Sequence, residues 1–362
     1  MTKIPRFASE TADLRLALRE MLEEVCPPSL VRTAEAAGAN SDSALWSMLV
    51  DSGWVELCRP SESSSLAQLE VLLFELGRVA APVPMRTAAI AGIFLSQGLS
   101  GATAATELAQ SVASGAVVSS AMSDGPSICN LTPSSRSTEG TLSGTKVFVH
   151  DVASASSFLL LARSDEDLFW VNLPKSENVT VEHNVSISGD WQSRISFQGV
   201  PVTVLGRATP QSIAVWHAVC RFVHAAWGAG LLARVLELVT RHATERVQFG
   251  RAIGSFQAVQ HKLADMSTGV QASIYLSTNA AQLLGEEGVY SRNAQSAALE
   301  AQNAFRKFGT VVLAGAHQVF GGMGVSKEHD FQLYSRRLRS QMMVGDRPVD
   351  ASNELLVLRE IV

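Results

Sequence analysis

One short motif in this chain matches a nucleotide-binding fingerprint, and its surroundings decide whether it can work as one. Gly228, Gly230 and Ala233 fit the pattern GxGxxA, in which glycines let the backbone approach a pyrophosphate. That chemistry requires a strand before the motif, a helix after it and an acidic residue about 20 positions further on. Here residues 214–226 continue a helical pattern, so no βαβ unit surrounds the glycines. We therefore interpret them as small residues that permit close helix packing.

The cysteines do not indicate metal or disulfide chemistry. Cys26, Cys58, Cys129 and Cys220 lie far apart in the sequence, and no CxxC pair occurs. This spacing predicts neither a zinc site nor a disulfide framework, and we expect a reduced, cytoplasmic location.

The composition is that of a folded chain without a general affinity for polyanions. Of the 362 residues, 46% are hydrophobic and 17% are charged, which excludes intrinsic disorder. The 29 basic and 34 acidic side chains give a net charge of −5, so we expect no nucleic-acid partner. We also expect no membrane partner, because no uninterrupted apolar run reaches the roughly 20 residues of a membrane span.

Three compositional zones predict the elements that would position a site. Residues 1–112 are rich in Ala, Leu and Glu at helical spacing, residues 113–208 alternate short apolar runs with turn residues, and residues 209–362 return to helical stripes. Closely spaced strands without intervening helices favour an antiparallel barrel or sandwich. The sequence therefore predicts an α+β chain with an N-terminal helical domain, a central β domain and a C-terminal four-helix bundle. The clearest helical stripes are Leu66, Leu69, Leu72, Leu73 and Leu76; Val259, Leu263, Met266 and Val270; and Ala301, Phe305, Phe308 and Val312.

Three segments taken together resemble the acyl-CoA dehydrogenase family. They contain the motifs Arg246-Val247-Gln248-Phe249-Gly250-Arg251, Gln318-Val319-Phe320-Gly321-Gly322-Met323-Gly324 and, more weakly, Glu75-Leu76-Gly77-Arg78. The resemblance covers nearly the whole chain and agrees with the order of the three zones. It implies a fold whose domains together bind FAD and an acyl-CoA, and an activity that removes hydrogen from the Cα–Cβ bond of the acyl group.

The resemblance also implies a cofactor that is shared between subunits, with its ADP end held by a neighbour's C-terminal domain. The residues that match this ADP-side contact are Arg246, Gln248, Phe249, Gln257, Gln318, Gly321 and Gly322. A fixed guanidinium with amide donors suits a pyrophosphate better than a mobile ammonium does. The two glycines would let the backbone approach the ligand, although a helix C-cap also explains them.

The same resemblance exposes positions where catalytic groups are missing. The family's usual base, a Glu in a Glu-Gly-Thr sequence, falls on Gly345, and the alternative helix position falls on Cys220. Neither is a carboxylate, and a thiol with a pKa of about 8.5 is an untypical base for this step. On the flavin side, residues 61–65, 123–126 and 148–150 also depart from the family's patterns. The resemblance therefore implies a chain with no catalytic residue of its own.

These matches and departures leave three functional hypotheses. In the first, the chain is the non-catalytic partner subunit of a heteromeric FAD-dependent acyl-CoA dehydrogenase, like those of actinobacterial sterol side-chain degradation. It would form a heterotetramer with a paralogous chain and act on a bulky acyl-CoA, with an electron-transfer flavoprotein as a candidate acceptor. In the second, it is a self-sufficient flavoenzyme whose base is Asp346, with His150 and His224 as weaker candidates. In the third, it is a flavin-free scaffold, against which the retained ADP-side residues argue.

Overall fold

The chain divides into two compact units, each drawn from separate segments of the sequence. The computed structural model describes residues 11–38, 41–60, 63–125, 129–134 and 138–344. The helical unit comprises the described parts of residues 1–32, 66–81 and 220–362. The sheet unit comprises the described parts of residues 33–65 and 82–219. The predicted N-terminal zone is thus shared between the two units, because its helices contribute to both cores. The predicted boundaries between three domains stay a prediction.

The described helices follow the predicted helical zones. They are α1 (Ala12–Val25), α2 (Pro28–Ala36), α3 (Ser43–Asp51), α4 (Ser63–Arg78), α5 (Met85–Ile93), α6 (Thr103–Ala113), α7 (Pro210–Glu245), α8 (Gln257–Glu286), α9 (Arg292–Phe320) and α10 (Phe331–Gln341). Helices α2 and α7 begin with proline, whose fixed φ and missing N–H suit the first helical position. The Ser291 side chain caps α9 by accepting a hydrogen bond from the Ala294 N–H at 3.3 Å.

The predicted apolar stripes form the core of the helical unit. All five leucines of the α4 stripe are buried, as are Met266 and Val270 on α8 and Ala301, Phe305 and Val312 on α9. Burial of such side chains is the main favourable contribution to folding, at about 1.5–3 kcal/mol for each large one. The sequence prediction of a helical C-terminal region is confirmed.

The GxGxxA motif lies inside α7 and serves helix packing, as interpreted from the sequence. A Cβ atom on Gly230 would lie 1.9 Å from the carbonyl oxygen of Phe74, and one on Gly228 would lie 2.4 Å from the Phe305 ring. On α4, a Cβ on Gly77 would lie 2.2 Å from the carbonyl oxygen of Trp227. Glycine at these positions lets α4 and α7 approach closely, so the motif has no role as a dinucleotide fingerprint.

A buried ionic network crosses the core of the helical unit. Arg78, with a side chain that is 2% exposed, bonds Glu75 at 2.9 Å, Glu237 at 2.8 Å and also Glu23. Arg19 donates to the fully buried Glu75 at 3.0 Å. Since a buried charge is costly unless it is paired, this network ties α1, α4 and α7 together.

The sheet unit contains a closed barrel. Its strands are β1 (Val118–Ser120), β2 (Ser123–Asp124), β3 (Asn130–Pro133), β4 (Glu139–His150), β5 (Ser157–Ser164), β6 (Asp167–Pro174), β7 (Val179–Val185) and β8 (Trp191–Arg207). Neighbouring strands run β2-β4-β3-β5-β6-β8-β7, and an additional pairing between β4 and β8 closes the ring. The pairings are antiparallel except that β5 pairs in parallel with β1 and β3. The predicted central β domain is confirmed.

Two helical stretches are long and apolar enough to cross a bilayer if only length and composition are considered. They are Pro210–Glu245 and Arg292–Val325, whose most apolar windows are 67% and 39% buried in the structure. The expectation from uninterrupted apolar runs missed both, because their apolar residues alternate with polar ones. Core helices of globular domains also meet this criterion, so these stretches are weak evidence for a membrane span.

Candidate cofactor-binding edge and base positions

A tight hairpin after α7 positions three of the predicted cofactor-binding residues, Arg246, Gln248 and Phe249. Strand β9 (Val247–Gln248) pairs with β10 (Arg251–Ala252), and Phe249 and Gly250 form the turn with φ angles of +55° and +80°. Both φ values are positive, as in the type I′ turns that match the twist of a hairpin. The Ile253 N–H closes the hairpin by donating to the Arg246 carbonyl at 2.8 Å.

The loop after this hairpin completes the local arrangement. The Arg251 guanidinium lies 4.1 Å from the centroid of the Phe256 ring, and the Phe249 ring lies 6.1 Å from it in an edge-on orientation. Gln257 then begins α8. The first segment of the predicted site is therefore one contiguous piece of surface, built from residues 246–257.

The second segment lies at the end of α9, where Gly321 caps the helix. Its N–H donates to the His317 carbonyl, and its φ of +58° is in the left-handed region that favours glycine. The C-cap explanation is therefore correct for Gly321. The cofactor interpretation is also compatible with the geometry, because among the described residues no atom outside the adjacent backbone lies within 4 Å of the Cβ positions of Gly321 and Gly322.

Aromatic packing joins the two segments, which are about 70 residues apart in the sequence. The His242 ring, one turn before Arg246 on α7, lies 4.9 Å from the Phe320 ring, which directly precedes the glycine turn. Sequence reasoning missed His242. Its spacing of four residues from Arg246 was the available signal, since such residues share a helix face.

Most polar side chains of the predicted site have no partner among the described residues. We call Arg246, Gln248, Phe249, Gln257, Gln318, Gly321 and Gly322 the Arg246 edge. Among the described residues, none forms a hydrogen bond or ion pair with the side chain of Arg246, Gln257 or Gln318. The Gln248 amide donates only to the neighbouring Val247 carbonyl at 2.7 Å, and Phe249 is 92% exposed. An exposed aromatic ring beside an uncompensated guanidinium is the composition of a binding surface.

One of the two positions that match the family's base, Cys220, lies on α7 in the helical unit. It lies one turn before His224, whose Nδ1 is 3.0 Å from the Gln341 Oε1 at the end of α10. The Val344 carbonyl accepts hydrogen bonds from Gln302 and Arg306. Gly345, Asp346 and Arg347 lie outside the described residues.

The buried carboxylates of the helical unit do not replace the missing base. Glu70 and Glu75 are buried, and each is bonded by an arginine of α1. A cavity of about 430 Å³ opens between α1, α4, α7 and α8, but its charged lining residues, Arg15, Arg19 and Glu237, are all ion-paired within the unit. These groups are used for stability.

In the sheet unit, the positions that depart from the family's flavin side differ in their surroundings. Asp124 pairs with the fully buried Lys146 at 2.8 Å. Phe148 lies at an irregularity in the pairing of β4 with β8, has a φ of +57° and is 66% exposed. Burial, followed by the charge of Arg86, lowers the pKa of His150, so this imidazole is held in its neutral form. Pro126 and residues 61–62 lie outside the described residues.

The described residues give no metal chemistry. No group of three or more His, Cys, Asp or Glu side chains in the described ranges is placed to hold a metal ion. The described cysteines are free thiols, and burial raises the pKa of Cys129 to about 11. A buried thiol of this kind is inert.

Comparisons with known proteins agree with the fold. Residues 217–345 match the family model described as the acyl-CoA dehydrogenase C-terminal domain. The chain is 25% identical to the acyl-CoA dehydrogenase IpdE2 of Mycobacterium tuberculosis, over 94% of this chain and 95% of that protein. Its fold is similar to that of a steroid acyl-CoA dehydrogenase described as Tcur3481-Tcur3483, with a TM-score of 0.83, 24% identity and coverage of 98% of this chain and 99% of that one. It is also similar to a chain of the ChsE4-ChsE5 complex of Mycobacterium tuberculosis, with a TM-score of 0.81, 22% identity and coverage of 99% and 98%.

Proposed function

We propose that this chain, which is similar to acyl-CoA dehydrogenases over nearly its whole length, is one subunit of an FAD-dependent complex that dehydrogenates an acyl-CoA between Cα and Cβ. In this proposal, the chain holds the ADP end of the FAD and a paralogous partner subunit supplies the base. Bound FAD supplies the hydride acceptor. Two structural neighbours are described as two-component assemblies, and one of them as a steroid enzyme, which supports a heteromeric complex and a bulky acyl group.

The observation that carries the proposal is the unengaged state of the Arg246 edge. Arg246 forms no ion pair with a described residue, whereas the arginines of the ionic network are paired with carboxylates. A bidentate guanidinium–phosphate contact contributes about 1.5–3 kcal/mol, and it needs a guanidinium that is not already compensated. The open space above Gly321 and Gly322 fits a ligand that approaches the backbone.

The lack of a carboxylate at Cys220 and Gly345, the two positions that match the family's base, supports the assignment of catalysis to the partner. The second hypothesis, with Asp346 as base, concerns a residue outside the described ranges and stays open to experiment. The proposal therefore predicts that this chain alone neither retains FAD nor oxidises an acyl-CoA.

The test is co-expression of this chain with candidate paralogous chains, followed by counting of FAD per protomer. We expect a yellow complex with about one FAD for every two protomers, since each shared site needs both chains. Arg246→Gln should release FAD from the complex, whereas Arg241→Gln, at an exposed arginine of the same helix, should not.

Two results would overturn the proposal. If the lone chain is yellow and reduces an acceptor with acyl-CoA, it is a self-sufficient enzyme, and Asp346→Asn and His224→Gln then identify its base. If no complex of this chain absorbs near 450 nm, the scaffold hypothesis is correct. The length and branching of the acyl group would be determined by turnover of a series of acyl-CoA substrates by the complex.

A further inference from the structure

Two histidines flank the residue that leads into the glycine turn of the Arg246 edge. The Phe320 ring lies 4.9 Å from His242 and 4.8 Å from His329, and Phe331 packs on it at 4.8 Å. Phe320 is buried, while both imidazoles are half-buried. Both histidines are therefore held by packing at the boundary between the core and the exposed edge.

Helix geometry places His242 next to Arg246. The Arg246 N–H donates to the His242 carbonyl at 2.9 Å, so the helical pattern continues to Arg246 and the two side chains lie on one face. Two groups that can be cationic thus point from one helix face, with a third, His329, on the other side of Phe320. Glu245 is the opposing charge close to His242.

The remaining charges around the pair are already compensated. Asp330, next to His329, pairs with Arg32 at 2.7 Å. The His329 Nδ1 accepts a hydrogen bond from the Phe331 N–H at 3.1 Å, which leaves its Nε2–H as a donor. Burial, and then the charges of His329 and Arg246, lower the pKa of His242 in the free protein, while Glu245 opposes the shift.

We propose that His242 and His329 extend the Arg246 edge as binding residues for the phosphates of a dinucleotide, and that His242 takes up a proton when the phosphates bind. This inference rests on the proposed function, because it assumes that a pyrophosphate reaches Arg246. Burial is the first cause that lowers the pKa of His242, and the charges of His329 and Arg246 add to it; the two negative charges of a pyrophosphate diester would offset these charges. The ligand therefore favours the imidazolium form, in which both ring nitrogens donate.

The direction in which ligand affinity changes with pH follows from the linkage between proton binding and ligand binding. If the anion stabilises protonated His242, protonation of His242 must tighten binding by the same factor. A pyrophosphate diester has no ionisation of its own near neutral pH, so the protein alone accounts for the effect. We expect affinity to rise by about threefold to tenfold as the pH falls through the histidine range.

The probe is ADP-ribose, which carries the ADP end and pyrophosphate of FAD without the flavin. Calorimetric titration of the assembled complex, freed of FAD, at several pH values gives the affinity. NMR of histidine-labelled protein gives the pKa of His242 with and without the probe. We expect ADP-ribose to raise that pKa and adenosine, which has no phosphates, to leave it unchanged. This measurement needs no mutation, so it stands even if a variant fails to fold.

Three variants test which histidine causes the pH dependence of ADP-ribose affinity. His242→Gln should abolish most of the pH dependence of ADP-ribose affinity, and His329→Gln should weaken binding at low pH. His317→Gln is the matched control, because His317 packs against Phe331 at 4.9 Å in the same cluster without adjoining Arg246. It should leave both the affinity and its pH dependence unchanged.

The outcomes separate this inference from the proposed function. If ADP-ribose binds and the pH dependence of its affinity is the same in His242→Gln, His242 does not take up the proton. Binding of the ADP end of FAD by this chain would then still be supported. A pH dependence equally strong with adenosine would also overturn the inference, since phosphates would not be its cause. If ADP-ribose does not bind at any pH, the proposed function itself fails.

Discussion

The arginines of the core and the arginine of the Arg246 edge show two uses of the same side chain in one helical unit. Arg78 is 2% exposed and surrounded by three carboxylates, which it ties to α4. Arg246 is exposed and has no ion-pair partner among the described residues. A paired, buried guanidinium contributes to folding, whereas an uncompensated one at an edge is available to an anion. The comparison indicates which charges belong to the fold and which to binding.

The largest expected effect is on the core side of this comparison. Arg78→Met should lower the free energy of unfolding by about 3–5 kcal/mol, because it leaves buried Glu75 without its closest partner. Denaturant titration measures the loss. Arg207→Gln, at an exposed ion pair with Asp167, is the control and should cost less than about 1 kcal/mol. Equal losses in both variants would contradict the distinction between buried and surface pairs.

Replacement of Arg246 should weaken cofactor binding without changing the stability of the fold. Arg246→Gln should weaken FAD retention by the assembled complex about 10-fold to 100-fold, since a charge-assisted hydrogen bond to phosphate is lost. The free energy of unfolding of the lone chain should change by less than about 0.5 kcal/mol. FAD release on dilution and denaturant titration give the two quantities. A destabilised chain with normal FAD retention would place Arg246 in the fold instead.

The same substitution, glycine to alanine, can be made once in the core and once at the Arg246 edge. Gly230→Ala should destabilise the chain by about 1–3 kcal/mol, because its Cβ would meet the Phe74 carbonyl oxygen at 1.9 Å. Gly322→Ala has no atom within 4 Å of the new Cβ, so stability should hardly change. FAD retention should nevertheless fall in Gly322→Ala if the cofactor occupies that space. Thermal melts and FAD counting separate the two cases.

The smallest expected effect is the pH dependence of stability. The pKa values of His150 and His242 are both lowered, mainly by burial, relative to an unfolded value of about 6.5. The unfolded chain therefore binds more protons in this range, and the free energy of unfolding should fall as the pH drops through about 6.5. His150→Asn should flatten this dependence in denaturant titrations across the range. An unchanged slope would show that His150 does not contribute.

Part of the candidate site was accessible from local sequence. The hairpin of residues 246–257 is built from neighbours in the chain, and Phe249-Gly250 is a turn whose geometry depends on its own backbone. The contact of His242 with Phe320 was not accessible, because it joins α7 to the end of α9. The pairing of His224 with Gln341 was missed for the same reason, since it links residues of different helices.

The sequence by itself determined the order of helical and β zones, the apolar stripes of α4, α8 and α9, and the absence of a carboxylate at Gly345 and Cys220. These depend on residue types and spacing, which act locally. Only the tertiary structure decided which charges are buried and paired, because desolvation and ion pairing depend on neighbours that are distant in the chain. It therefore decided that Arg78 is buried among carboxylates and that Arg246 is exposed with no ion-pair partner among the described residues.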